Sequence, residues 1–209
     1  MAANAIDLIN IFSAVTKNLD QNKKALNEAD TYNHDHGDHM VDIFKVVTQA
    51  METKKNADPA DQLAYASELL RQKSHSGSAD LYASGLANAA KQFTGKQVTP
   101  DNALTLIQAM MGGAQPVSQA QPSAGGNLLG SLLSGLSGGQ SQTGQGIDAG
   151  DLLNAGMAFF QAKQSGDSNL EALVDAVVAS TQVAGSAHRA QSGKLVANTI
   201  LQMMSSMGK

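Results

Sequence analysis

The chain has 209 residues, enough for one domain with a substantial core, and its 14 basic and 18 acidic residues leave a formal net charge of −4. With no basic run and only five phenylalanines and three tyrosines, nothing points to nucleic acid, and the absence of cysteine excludes disulfides, thiolate zinc sites and a cysteine nucleophile. No apolar run is long enough to span a bilayer, and the first residues lack the basic-then-apolar order of a signal peptide, so the expectation is a cytoplasmic protein with no membrane span.

The elements read as helices throughout. Ile6, Ile9, Phe12, Val15 and Leu19, with Leu26 beyond them, recur at helical spacing. Met40, Ile43, Phe44, Val47 and Met51 form a second amphipathic stripe. Asp58-Pro59 supplies an N-cap followed by proline at the first helical position, and Leu63, Ala66 and Leu70 follow on one face. A fourth helix carries Leu81, Leu86, Ala89, Ala90 and Phe93 and ends near Gly95. Thr99-Pro100 repeats the cap-plus-proline start ahead of Leu104, Ile107 and Met111.

From about 112 to 146 glycine, serine and glutamine dominate and charged residues are missing, the composition of a flexible insertion. Leu128-Leu129, Leu132-Leu133 and Leu136 could form one short helix inside it. Apolar spacing returns with Leu152, Leu153, Ala155, Met157 and Phe160. Ser168-Asn169-Leu170-Glu171 is a capping box that opens a helix through Leu173, Val174, Val177 and Val178, and a last helix carries Leu195, Val196, Ile200, Leu201, Met203 and Met204. No alternating run bounded by turns suggests a strand. The expectation is an all-α, single-domain antiparallel bundle or barrel of about eight helices over residues 1–209.

Asp30 to Met40 holds three of the five histidines and three aspartates, and reads as a connection between two helices. His75, next to Ser76-Gly77-Ser78, and His188, ahead of Arg189 to Gly193, mark two further interhelical junctions. In an up-and-down bundle, loops separated by an even number of helices emerge at one end, so the first two junctions are expected to meet. Asp30, Asp35, Asn33 and Asp38 offer hard oxygens suited to magnesium, whereas the imidazoles favour zinc, nickel or copper. Small residues opening a helix, as at Ser76-Gly77-Ser78, can present backbone N–H groups to an anion, although the same residues make an ordinary cap. No P-loop and no EF-hand register is present.

Leu26-Asn27-Glu28, then Asp30, then Asp35-His36-Gly37-Asp38-His39-Met40 resembles the nucleotide-binding (L-type) domain of dihydroxyacetone kinases, which typically shows Leu-Asn-x-Leu-Asp, a spacer and Asp-x-Asp-His-Gly-x-Asn-Met. Ser76-Gly77 with Leu81-Tyr82 is similar to that family's Ser-Gly-x-Leu-Tyr-Gly segment, and Gln191-Ser192-Gly193 falls near its final nucleotide-contacting loop. The resemblance implies an antiparallel barrel of eight helices that binds ADP or ATP with magnesium. It implies Asp30, Asn33 and Asp35 as metal ligands, His36 and His39 near the phosphates, and Ser76 and Gly77 as the phosphate-binding backbone. Such domains act with a separate acceptor-binding subunit. The sequence departs from the pattern at Asn33, where the family has aspartate, at His39, where it has asparagine, and at Val98 to Asn102, where it has Gly-Asp-Lys-Thr-Met. Two alternatives stay open: a non-catalytic helical binding or scaffold protein, and a phosphatase-like hydrolase holding a transition metal through His34, His36, His39 and the aspartates.

Overall fold

The computed structural model describes residues 7–112, 174, 177–178 and 181–207. The chain divides into two compact units, one of Met1–Ala114 with Val174–Lys209 and one of Gln115–Leu173, and the second lies outside the described residues. With it lie most of the glycine-rich segment, the short helix expected near 128–136, the helix around 152–160 and the capping box at 168–171. Among the described residues the structure has six α-helices and no strand.

Helix α1 spans Leu8–Ala29 and opens on Asp7, whose carboxylate accepts the Ile9 amide at 2.9 Å. Its buried stripe is Leu8, Ile11, Phe12, Val15, Leu19 and Leu26. Ile9 is therefore not a core residue as expected; with the helix starting at Leu8, positions 8 and 11 face inward and Ile9 is half-buried. Helix α2, His36–Thr53, buries Met40, Ile43, Phe44, Val47 and Met51 as the spacing predicts. It begins inside the stretch expected to be a connection, so only residues 30–35 form the loop. Asp58 and Pro59 open α3, Pro59–Lys73, as read from the sequence.

Helix α4 spans Gly77–Gln92, and here Tyr82 is buried while Leu81 is only half-covered. Thr99-Pro100 leads into a 3₁₀ turn, Pro100–Asn102, before α5, Ala103–Met110; the Asn102 side chain accepts the Thr99 amide at 2.9 Å. Leu106, not Leu104, joins Ile107 and Met110 inside. Val174, Val177 and Val178 are helical and buried. A 3₁₀ turn, Gln182–Gly185, then precedes α6, Ala187–Met207. His188 to Gly193 thus occupy the first turns of α6 and are not loop residues, a correction to the sequence reading.

Helix α1 packs against α2 and α6, α2 against α3, α3 against α4, and α4 against α5, which also touches α6. Three rings tie the centre together: Phe12 lies 6.2 Å from Phe44, and Tyr82 meets Phe44 edge-on at 5.1 Å. Among the described residues no helix is long and apolar enough to cross a membrane.

The α4–α5 contact is a backbone approach. A Cβ placed on Gly85 would run into the Met110 carbonyl, and backbone cannot swing aside as a side-chain tip can. Gly85→Ala is expected to cost about 1–3 kcal/mol of unfolding free energy, read as a lowered urea midpoint. An unchanged midpoint would show that the two helices are not in backbone contact.

Candidate functional site

Asn27 organises the first junction. Asp35 stands at the N-cap of α2 but makes no side-chain capping bond, leaving the helix's first amides without their usual partner. Asn27, near the end of α1, supplies it instead: its Oδ1 accepts the amides of Gly37 at 2.6 Å and Asp38 at 3.2 Å. Its Nδ2 donates to Asp38 Oδ2 at 2.8 Å, and Lys23 holds the other Asp38 oxygen at 3.1 Å. Gly37 is required here because a Cβ would collide with the Lys23 carbonyl. Between the helices, Asp30 accepts the Tyr32 amide at 3.1 Å, and His34 takes a left-handed φ of 59° with its Nδ1 3.3 Å from the Asn27 carbonyl.

This junction meets the start of α6. His36 is buried, and its Nε2 lies 2.9 Å from the Ser192 hydroxyl. Ser192 itself donates to the Arg189 carbonyl at 2.9 Å. Its single proton being used there, Ser192 accepts from His36, which fixes the His36 proton on Nε2. The His188 ring meets His36 edge-on at 4.7 Å. His188 Nδ1 stands 3.9 Å from Asp30 Oδ1, close enough for attraction but not for a hydrogen bond, and its Nε2 is 3.2 Å from Ser186 Oγ.

Burial, then the facing His188, with Arg189 and His39 adding to them against the opposing pull of Asp30, bring the His36 pKa down to about 4. For Asp30, burial pushes upward. The Tyr32 amide, His188, His36 and the Asn33 amide outweigh it and hold the carboxyl below its ordinary value. The site therefore sets a carboxylate beside a neutral buried imidazole at neutral pH.

The third junction joins through Arg189. Ser76 caps α4, its Oγ accepting the Ala79 amide at 3.1 Å. The Arg189 guanidinium lies against Gly77: a Cβ there would stand 2.9 Å from its terminal nitrogen. Among the described residues Arg189 has no ion pair, and its buried Nε has no hydrogen-bond partner. A guanidinium held at the positive end of a helix dipole is unfavourable unless negative charge joins it, so the arrangement suits an oxyanion.

Of the residues expected from the sequence, Asp30 and His36 come together, and Gly77 joins them through Arg189. Asp35 and His39 pair with each other at 3.3 Å along α2, while Asn33, His34 and His75 are exposed. Among the described residues no group of three or more His, Asp or Glu side chains is placed to hold a metal ion. Sequence reasoning missed Asn27 as a cap, Ser192 as the partner of His36, and Arg189. The one available signal was that Arg189 and Arg71 are the chain's only arginines among many lysines.

Searches of protein-family models, curated proteins and solved structures give no match to the chain.

His36 makes the site acid-sensitive. Its folded pKa of about 4 lies below the ordinary 6.5, so its stabilisation is complete above pH 6.5 and is lost as pH falls towards 4. The loss is on the order of 2–3 kcal/mol. Asp30 and Asp38, held below 3.8, act only at still lower pH. His36→Gln keeps a donor for Ser192 but cannot titrate. Urea midpoints measured between pH 7 and 4.5 should fall less steeply in this variant than in the unaltered chain, and parallel slopes would contradict a buried neutral His36.

Proposed function

We propose that the chain binds the phosphates of ADP or ATP at the junction end of the bundle, in the role of a nucleotide-binding domain of the dihydroxyacetone kinase L type. The observation that carries this reading is Arg189, without an ionic partner among the described residues and held against Gly77 where α4 begins. A phosphate there would take bidentate hydrogen bonds from the guanidinium and backbone N–H groups from the opening of α4. The motif resemblance supports the nucleotide, the α-helical content agrees with the family's fold, and an eight-helix barrel is the arrangement that reading calls for.

By the same resemblance Asp30, Asn33 and Asp35 are the magnesium ligands, and phosphoryl transfer goes to an acceptor held by a partner subunit. Magnesium would offset phosphate charge there. The described carboxylates form no three-ligand group, however. That observation favours a second reading, a non-catalytic binding module in which Arg189 does the work of charge neutralisation.

Calorimetric titration of ADP into chelator-stripped protein tests both. Binding near one equivalent is expected, weakened about tenfold or more by Arg189→Ala, since charge-assisted bonds contribute roughly 1.5–3 kcal/mol. Gly77→Ala would displace only the tip of a flexible side chain, so it should lower ADP affinity while leaving the urea midpoint nearly unchanged. Dependence on magnesium supports the kinase-type domain, and magnesium-independent binding supports the module. Absence of ADP binding in both conditions overturns the proposal.

A further inference from the structure

Of the described aromatics four are buried, Tyr65 is half-buried, and one lies almost wholly in solvent. Phe12, Phe44, Phe93 and Tyr82 are buried, and Tyr65 carries the Lys54 ammonium 5.1 Å from its ring centroid. Tyr32 is 93% exposed and is the one exposed large hydrophobic residue among those described. A lone exposed ring on an arbitrary surface needs no explanation. Tyr32 stands instead in the six-residue loop that carries Asp30 and leads into His36, and its backbone is fixed on both sides. Its amide is bonded to Asp30 at 3.1 Å, and two residues later His34 is tied to the Asn27 carbonyl at 3.3 Å with a φ of 59°. The ring is thus open to solvent on a loop that is held in place, and ordering a tyrosine costs little because only two side-chain torsions are involved.

Asp30, which accepts the Tyr32 amide, stands 3.9 Å from His188, so the loop meets the start of α6, where the neighbouring Arg189 offers charged donors to phosphates and little to a base. His36 is buried and faced by His188, and Arg189 lies against Gly77. A nucleotide held only by its phosphates would leave its heterocycle in water.

We propose that Tyr32 is the stacking platform for the base of the bound nucleotide, an inference that rests on the phosphate site proposed above. The contact is made by the ring face, so the hydroxyl is dispensable and the selectivity is for a planar heterocycle attached to the phosphates. Base–aromatic stacking supports a loss of about tenfold or more in affinity when the ring is removed.

The test compares ADP with inorganic pyrophosphate, which has the phosphates and no base, titrated into the unaltered chain, Tyr32→Ala and Tyr32→Phe in magnesium buffer. Expected are a tenfold or greater loss of ADP affinity in Tyr32→Ala, little change in Tyr32→Phe, and equal pyrophosphate affinity in all three. The urea midpoint, insensitive to so exposed a side chain, verifies that each variant is folded. If the unaltered chain binds ADP and Tyr32→Ala binds it equally well, the stacking role fails and the phosphate site stands. A parallel loss for ADP and pyrophosphate also overturns stacking, because the loop would then act on the phosphates. If the unaltered chain binds neither ligand, the phosphate site itself fails and the platform with it.

Discussion

Everything at the junction end depends on Asn27 reaching across from the last turn of α1 to cap the first turn of α2. Capping from a neighbouring helix does two things at once. It satisfies amides that Asp35 leaves open, and it fixes the distance between the two helix ends, with Gly37 permitting the close approach. The loop from Asp30 to Asp35 is then too short to wander. Asp30 is turned inward and Tyr32 outward, and His36 is delivered to the interior at the point where α6 begins. Loss of the Asn27 amide would release two backbone donors together with its bond to Asp38, and the position of His36 with them.

The interior face of the junction sets a neutral imidazole beside an ionised carboxylate, both of them buried. His36 is kept uncharged by burial and by His188, and its proton is fixed on Nε2 by Ser192. Asp30, although buried, remains ionised because backbone amides and imidazoles surround it. Arg189 extends from the same turn of α6 towards the beginning of α4, so a cation and a helix dipole face the same space. A chain with a net charge of −4 that keeps an arginine without an ionic partner among the described residues has placed positive potential where an anionic ligand would need it.

Helical periodicity made most of the fold legible. The stripes in α2 and α3 were readable residue by residue, and Asp58-Pro59 and Ser76 mark helix starts in the sequence as in the structure. The errors lie where polarity conceals a helix. His36 to His39 and His188 to Gln191 look like loop because their residues are polar, yet each forms a first helical turn, the place where polar groups cap and carry function. Likewise Ile9, Leu81 and Leu104 are apolar neighbours of the true core positions Leu8, Tyr82 and Ala103, and a one-residue rotation of each stripe decides between them. Asp30 and His36 could be picked out because they are clustered in the chain. Arg189, Ser192 and Asn27 fall in segments the sequence singles out, but their individual roles lie in partners brought close by packing between helices.

In the proposed site an anionic ligand sits between α4's first turn and the first turn of α6, in contact with Arg189. Heteronuclear NMR of the arginine Nε–H and histidine ring signals during ADP titration addresses it directly, with exposed His75 and Arg71 as internal references. Expected is a large downfield shift of the Arg189 Nε–H, together with changes at His188 and His36, while Arg71 and His75 stay in place. Saturable ADP binding that leaves the Arg189 and His188 signals unmoved would contradict it.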